Sequence, residues 1–397
     1  MPDDQSPPLL AAARAAIRAL EASQIREVAN AGMGDRDVLP FWFGEPDAVT
    51  PAFIRRAGAA ALERGDTFYT QNFGIPELRE AIAGYVARLH APIRAERVAV
   101  TASGMSALAI ALQALVGDGD RVVAVTPLWP NLTEFPRVLG AAVTRVALDA
   151  TAEGFRLDVD RLLAALIPGT RALLLNSPNN PTGWTITAAA QRAVLEHCRR
   201  HGIWIVADDV YERLYFQPGI DAAPSFLALA HEEERLVSTN SFSKAWCMTG
   251  WRLGWMVAPQ ELLPEIGKLI EYNTSCSPAF VQRAGLAAIL DGEPDVHAFR
   301  ARLVAARDRL VQGLAQVPGV SVTVPQGAMY AFFRVAGMTD SVAFCKRLVR
   351  EGRLGLAPGR AFGPEGEGFV RWCFAAAPAR LDEGIARLSR FLAAGTR

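Results

Sequence analysis

The sequence predicts an α/β protein, with a mostly parallel mixed sheet in a large domain and a smaller α+β domain formed by both termini. Between about residues 97 and 258, apolar runs of strand length alternate with helical stretches, which indicates a sheet buried on both faces. Beyond Gly292 the chain changes to long arginine- and alanine-rich helices with a few strands. We therefore expect an N-terminal segment (1–49) that packs with the small domain, a large domain (50–290) and a small domain (291–397).

The elements can be predicted in order along the chain. An alanine-rich stretch with apolar residues at helical spacing predicts a helix over 9–31, and residues 40–47 predict a short strand that breaks into a turn. Helices follow over 51–64, with proline in the first turn, and over 75–89. Strands of the large domain are predicted at 98–100, 122–125, 143–148, 172–175, 203–207, 236–239 and 253–258. Strands of the small domain are predicted at 320–324, 329–335 and 369–375, before a closing helix.

Charge and cysteine content exclude several classes of function. The 41 basic residues balance 41 acidic ones, so no net field favours nucleic acid or an acidic membrane surface. The five cysteines are scattered without a CxxC pair, which indicates a reduced, intracellular protein without structural zinc. No apolar run is long enough to span a bilayer, and the acidic N-terminus does not begin a signal peptide. We therefore expect a cytoplasmic protein without a metal site.

One lysine is the strongest candidate for chemistry. Lys244 lies between Ser241 and Ser243 on one side and Arg252 on the other, in a stretch rich in glycine and aromatic residues. An amine that attacks an aldehyde must be deprotonated, and burial lowers the pKa of a lysine. The two hydroxyls and the guanidinium could bind a phosphate. Together they indicate a phosphorylated aldehyde held by the lysine, as pyridoxal phosphate is. A surface lysine between two strands is the alternative.

Ligands of open α/β sheets bind outside the carboxyl ends of the strands, so the residues just past each predicted strand are candidates for a binding site. Ser103 and Gly104 open a helix after the first strand, where free backbone N–H groups suit a phosphate. A plain N-cap serine would look the same. Trp129 follows the second strand and could stack on a flat ring, although it could equally be a core aromatic residue.

Three further strand ends carry polar groups. Asn180 lies in a loop made rigid by two prolines and could donate to an oxygen on the ring; a tight turn is the alternative. Asp208 ends an apolar strand, where a carboxylate is costly unless it is paired, and a protonated pyridine nitrogen would be such a partner. Tyr211 could lie near the ring hydroxyl. The alternative for Asp208 is an N-cap.

These motifs resemble those of the class I aminotransferases, the pyridoxal-phosphate enzymes of the aspartate aminotransferase fold, which is fold type I. The resemblance runs from about Gln24 to the C-terminus. Besides the strand-end motifs it rests on FGEPD at 43–47, YTQNFGIPELR at 69–79 and FVRW at 369–372. It implies an aminotransferase that uses pyridoxal 5'-phosphate and a ping-pong mechanism.

The resemblance also implies roles for single residues. Lys244 would bind the cofactor covalently and act as acid and base, Asp208 would hold the pyridine nitrogen, and Tyr211 is the third implied catalytic residue. The implied cofactor-binding residues are Tyr69, Ser103, Gly104, Met105, Trp129, Asn180, Asp208, Tyr211, Ser241, Ser243, Lys244 and Arg252. The implied substrate-binding residues are Gly44, Trp129, Asn180 and Arg371. Arg371 would grip the α-carboxylate, and Tyr69 would reach the phosphate of the neighbouring subunit, which implies a homodimer with shared sites.

The substrate is less determined than the reaction. Met105 stands where some aspartate-specific relatives carry a lysine, and together with Trp42 and Trp129 it favours an amino acid with a neutral or aromatic side chain. The acceptor would be a 2-oxo acid such as 2-oxoglutarate or pyruvate. An aspartate-type aminotransferase, and a β-lyase or another non-transferring enzyme with the same cofactor, remain alternatives.

Overall fold

The computed structural model describes residues 13–395, and its central feature is a seven-stranded sheet. The strands, in chain order, are β2 Val98–Thr101, β3 Arg121–Thr126, β4 Ala142–Ala147, β7 Thr170–Asn176, β8 Trp204–Asp208, β9 Leu236–Ser241 and β10 Gly254–Val257. Their order across the sheet is β2-β10-β9-β8-β7-β3-β4. β10 is antiparallel to both of its neighbours, whereas β9, β8, β7, β3 and β4 pair in parallel. The prediction of a mostly parallel mixed sheet is confirmed.

Helices cover both faces of this sheet. They are α3 Ala52–Glu63, α4 Pro76–Leu89, α5 Gly104–Leu115, α6 Pro130–Val138, α7 Val159–Ala165, α8 Ala188–His201, α9 Phe242–Ala245, α10 Leu263–Asn273 and α11 Ala279–Asp291. Val123 and Val125 of β3 pack into one apolar cluster, and Val122 and Ala124 pack into another on the opposite face. Successive strand residues point to opposite faces, so a sheet covered on both sides requires the continuous apolar runs seen in the sequence.

A four-stranded antiparallel sheet forms the centre of the C-terminal part. Its order is β11 Val320–Ser321, β12 Tyr330–Val335, β15 Phe369–Cys373 and β14 Ala357–Pro358. The helices packed with it are α12 Glu293–Ala315, α13 Ser341–Gly352 and α14 Pro378–Gly395. The strand predicted over 320–324 ends at Ser321, because its pairing with β12 stops at the Ser321–Arg334 register.

The N-terminal segment packs against this second sheet. Helix α2, Gln24–Asn30, buries Ile25 and Val28 in the same apolar cluster as β12 and β15. Strand β1, Leu39–Pro40, pairs in parallel with β13, Leu354–Gly355. The remaining elements are helix α1 Ala15–Arg18 and the hairpin of β5 Asp149–Thr151 with β6 Gly154–Arg156. The domain boundaries after residues 49 and 290 stay a prediction.

The single helix predicted over 9–31 is wrong in its described part. The chain forms α1, leaves the helical conformation, and starts again at α2. Ser23 caps α2 by accepting a hydrogen bond from the backbone N–H of Arg26 at 3.2 Å. A serine cap ends helical periodicity without changing the apolar pattern, so the pattern alone does not reveal it. Residues 9–12 of that prediction lie outside the described residues. Within 13–395, no helix is both long and apolar enough to cross a membrane.

Candidate active site

A cavity of about 610 Å³ opens at the carboxyl ends of the parallel strands. Asn176, Asp208 and Ser241, the last residues of β7, β8 and β9, all line it. The sequence-predicted residues that line it are Gly44, Gly104, Met105, Trp129, Asn180, Asp208, Tyr211, Ser241, Ser243, Lys244, Arg252 and Arg371. Ligand sites of open α/β sheets lie at this edge, where neighbouring parallel strands end together.

One end of the cavity is suited to an anion because helix α5 begins there. A Cβ on Gly104 would lie 2.8 Å from the Cβ of Ser241, and a Cβ on Gly254 would lie 2.4 Å from the Gly104 nitrogen. Both positions must therefore be glycine for the helix N-terminus to approach β9 and β10 so closely. Ser103 caps α5 by accepting a hydrogen bond from the N–H of Ser106 at 2.9 Å, and it does not line the cavity. Of the two roles considered for Ser103, the N-cap is the one that the structure shows directly.

Two hydroxyls and a guanidinium complete this end. The Oγ atoms of Ser241 and Ser243 are 2.9 Å apart, and the N–H of Ser243 donates to the Ser241 oxygen at 3.1 Å. Arg252 is exposed in the left-handed region at φ 55°, where its Nη1 donates to the Thr249 carbonyl oxygen. Hydroxyl donors, a helix N-terminus and an arginine facing the same space are the donor set that a phosphate requires.

A buried carboxylate faces the middle of the cavity. Asp208 is 9% exposed. Its side chain accepts, among the described residues, a single long hydrogen bond from the N–H of Val210 at 3.4 Å. Burial raises the pKa of Asp208 to about 7, and the neighbouring Asp209 adds to the shift. A carboxylate so poorly paired would be stabilised by a cationic N–H donor placed in the cavity.

Lys244 projects into the same space from the short helix α9. Its Nζ donates to the carbonyl oxygen of Gly44 and lies 5.8 Å from the ring centroid of Tyr211. Burial lowers the pKa of Lys244 to about 8, and the positive charges of Arg371 and Arg252 act in the same direction. A substantial fraction of this amine is therefore neutral near physiological pH, as a nucleophile or base must be.

Arg371 also lines the cavity and is 2% exposed. Its Nη1 donates to Asn180 Oδ1 at 3.0 Å, and its Nη2 donates to the carbonyl oxygen of Trp42. The guanidinium stacks over the rings of Tyr330 at 4.5 Å and Phe362 at 4.9 Å. Its buried Nε has no hydrogen-bond partner in the described part of the chain. A rigid, buried guanidinium with a free donor is suited to bind a carboxylate.

Tyr330 is a cavity residue that the sequence did not reveal. Its hydroxyl is 2.7 Å from that of Tyr211, and either group could donate. A Cβ on Gly44 would lie 2.0 Å from the Tyr330 hydroxyl, so the predicted Gly44 is needed for this close approach. Tyr330 begins β12, far along the chain from the lysine stretch, and no spacing pattern connects the two.

Asn176 is a second residue that was missed, although the strand-end rule could have found it. Its Nδ2 donates to the backbone oxygen of Asp208 at 3.0 Å, and its Oδ1 accepts from the N–H of Asn180 at 2.7 Å. It therefore ties the end of β7 to the end of β8 and fixes the Asn180 loop. The backbone oxygen of Asn180 in turn accepts from the N–H of Trp129 at 3.0 Å.

Two further predicted residues, besides Ser103, lie away from the cavity. Trp42, which was expected to favour a neutral or aromatic substrate, is buried beside Gly355 and does not line the cavity. The prediction of a substrate contact for the Trp42 side chain is wrong, because only the backbone oxygen of Trp42 reaches Arg371. Tyr69 is 88% exposed, before α4, and does not line the cavity of its own chain.

Comparison with known proteins agrees with this geometry. The family described as aminotransferase class I and II matches residues 36–388. The chain is 33% identical to the aspartate aminotransferase of Pyrococcus horikoshii, over 94% of this chain and 95% of that protein. It is 32% identical to aromatic-amino-acid aminotransferase 2 of Thermococcus litoralis, over 93% and 95%. The crystal structure of an aromatic aminotransferase from P. horikoshii superimposes with a TM-score of 0.85 at 31% identity, over 93% of this chain and 99% of that one.

The residues of the cavity fit the cofactor of these enzymes. The anion-binding end matches a phosphate, Asp208 matches a protonated pyridine nitrogen, and Lys244 matches an aldehyde. The fold agrees as well, since the structural relatives are fold type I aminotransferases. The chain therefore belongs to the class I and II aminotransferases and is a transaminase dependent on pyridoxal 5'-phosphate.

Proposed function

We propose that this aminotransferase moves the amino group of an α-amino acid with a neutral or aromatic side chain to a 2-oxo acid such as 2-oxoglutarate or pyruvate. Support comes from Met105, Leu108 and Trp129, which line the same cavity as Lys244. Apolar side chains there favour an uncharged substrate group by excluding water from it. The similar proteins include both aspartate and aromatic-amino-acid aminotransferases, so the choice between these substrates rests on the apolar lining.

The observation that carries the reaction is the placement of Lys244 and Arg371 on one cavity. Arg371 binds the substrate α-carboxylate with its free Nε and its Nη atoms, which holds Cα at a fixed place. Lys244, with its lowered pKa, takes the proton from Cα and returns it on the cofactor side. Bound pyridoxal phosphate supplies the electron sink for this proton transfer.

Other residues of the cavity hold the cofactor in this proposal. Ser241, Ser243, Arg252 and the N-terminus of α5 bind the phosphate, while Ser103 keeps that helix end in place as its cap. The carboxylate of Asp208 would pair with the ring nitrogen and keep it protonated. Asn180 and Tyr211 would contact the ring oxygen and Trp129 would stack on the ring, while Gly44 and Met105 line the same cavity.

We also propose a homodimer in which Tyr69 of each chain reaches the phosphate site of its partner. Support comes from the exposure of Phe68 at 83%, Tyr69 at 88% and Tyr272 at 89%, since large aromatic residues left in water favour an interface. The cytoplasmic location stays a prediction from composition. Light scattering of the purified protein tests the assembly. The affinity of the Tyr69→Phe variant for pyridoxal phosphate, compared with that of the wild type, tests the phosphate contact.

A half-reaction screen tests the substrate class. Each of the common amino acids is mixed with the cofactor-loaded protein, and the change in the cofactor absorbance is followed. Aromatic and neutral amino acids should react fastest, and addition of a 2-oxo acid should restore the original spectrum. A preference for aspartate, or release of ammonia with pyruvate in place of a new amino acid, would contradict the proposal.

A further inference from the structure

A second cavity, of about 450 Å³, adjoins the first. Both are lined by Ser23, Ile25, Met105, Trp129 and Asn131, so the two spaces share a wall. The second cavity is also lined by Arg360. We propose that Arg360 determines acceptor specificity by binding a second carboxylate at the far end of a dicarboxylic 2-oxo acid. This inference rests on the proposed function, because it assumes that Arg371 binds the α-carboxylate.

The turn that carries Arg360 directly follows the strand that pairs with the Arg371 strand. In the antiparallel pair of β14 and β15, Ala357 lies opposite Arg371, and Arg360 follows Ala357 by three residues in the 3-10 turn Gly359–Phe362. Three residues span at most about 10 Å even when fully extended. Phe362, from the same turn, lies under the Arg371 guanidinium and also lines the second cavity. Phe362 thus contacts the Arg371 guanidinium and lines the second cavity together with Arg360.

Arg360 differs from the other arginines of this cavity in its partners. Arg145 donates to Glu365 at 2.8 Å and to the backbone oxygen of Phe362 at 3.0 Å, and Arg137 donates to Glu134 at 2.9 Å. The guanidinium of Arg360, within residues 13–395, donates no hydrogen bond. It has a carboxylate nearby, that of Glu21, whose Oε1 is 3.9 Å from its Nη2, beyond hydrogen-bonding distance.

The loose pairing with Glu21 allows one site to accept two kinds of substrate. In a ping-pong reaction both substrates use Lys244, so the same cavity must hold the side chain of the donor and that of the acceptor. With a neutral donor, Glu21 balances the charge of Arg360. The Glu21 side chain is 66% exposed, and such surface pairs contribute little, so a substrate carboxylate that forms a bidentate pair displaces it easily.

The test compares two acceptors with one amino donor. For Arg360→Met, which keeps the length of the side chain without its charge, kcat/KM for 2-oxoglutarate should fall about 10- to 100-fold through KM, the range of a lost hydrogen bond to a charged group. The value for pyruvate, which has no second carboxylate, should change less than about twofold. Glu21→Gln should lower KM for 2-oxoglutarate. Arg137→Met, which removes an arginine already paired in the same cavity, is the control and should leave both acceptors unchanged.

A binding measurement separates this inference from the proposed function. Succinate and propionate differ by one carboxylate and cannot accept an amino group, and their binding to the cofactor-loaded protein can be titrated by absorbance. Wild-type protein should bind succinate more tightly, and Arg360→Met should abolish the difference. An unchanged preference, or an equal loss for 2-oxoglutarate and pyruvate, overturns the role of Arg360. Failure of the wild type to transfer an amino group to either acceptor would instead contradict the proposed substrates, and the succinate titration would still decide the role of Arg360.

Discussion

Two neighbouring carboxylates at the end of β8 have the same burial but different surroundings. Asp208 faces the cavity and accepts one long hydrogen bond at 3.4 Å. Asp209 points behind the sheet, where its Oδ2 accepts from Ser238 Oγ at 2.7 Å and Ser225 Oγ at 3.0 Å. Burial raises the pKa of both, Asp208 to about 7 and Asp209 to about 6. The cavity carboxylate is left for a ligand to satisfy, whereas the one behind it is satisfied by the fold.

The same contrast between a residue that faces the cavity and a paired residue behind it recurs three residues later. Tyr211 faces the cavity, and Glu212 behind it accepts from Asn240 Nδ2 at 2.7 Å and from Tyr85 at 3.2 Å. Glu212 also lies 2.6 Å from His90 Nε2. Burial alone would lower the pKa of His90, but the hydrogen bond and charge of Glu212 raise it. A fully paired layer thus lies directly behind the catalytic one and holds it in position, because paired buried groups resist movement.

The largest effect should come from Lys244, which faces the cavity. Lys244→Ala should abolish covalent trapping of the cofactor by borohydride and lower transamination at least about a thousandfold, since it removes both the attachment and the base. Intact mass after reduction measures the trapping. The exposed Lys268, paired with Glu265, is the matched control, and Lys268→Ala should retain both properties. An adduct that persists without Lys244 would move the attachment to another lysine.

The next effect separates the two aspartates. Asp208→Asn should lower kcat about 100- to 1,000-fold, the range for a lost charge-stabilising group, and leave the cofactor-free protein as stable as the wild type or more stable. Asp209→Asn should instead lower the free energy of unfolding by about 1–3 kcal/mol, because it disturbs two buried hydrogen bonds. Steady-state kinetics and urea unfolding measure the two quantities. If both variants lost the same property, the two layers would not differ in role.

A smaller effect is expected from Glu212 in the paired layer. Glu212→Gln removes the negative charge beside His90 and should lower the free energy of unfolding by about 1–3 kcal/mol, since a buried donor loses its charged acceptor. Glu351→Gln, in an exposed pair with Arg347, should lower the free energy of unfolding far less, because water screens an exposed ion pair. Both are measured by urea unfolding. Equal losses of unfolding free energy for the two variants would show that burial of the Glu212 network does not contribute to stability.

The smallest effect concerns pH. Because the pKa of Lys244 is lowered to about 8, the fraction of neutral amine rises with pH up to that value and then levels off. The rate at which cofactor-free protein captures pyridoxal phosphate covalently should therefore increase about tenfold between pH 6 and 7 and become flat above about pH 9. Rapid-mixing absorbance measures this rate. A rate that still rose tenfold per unit at pH 9 would mean that the amine keeps its ordinary pKa.

Several residues could be predicted from the sequence because their positions depend on local order along the chain. Apolar runs locate the parallel strands, and the carboxyl ends of such strands meet at one edge, so Trp129, Asn180, Asp208 and Lys244 were expected together. The cavity at that edge contains all four. Met105 could also be assigned to the site from the sequence, because it lies in a motif that resembles that of the family.

Only the tertiary structure decided which distant segments share the cavity. The β14–β15 register puts Ala357 opposite Arg371, and β12 brings Tyr330 against Gly44, while Trp42 turns away into the core beside Gly355. Ser23 interrupts the N-terminal helix and lines both cavities. The contacts of Tyr330 with Gly44 and of Trp42 with Gly355 join residues far apart along the chain, and a periodic pattern within one segment contains no information about which other segment it will meet.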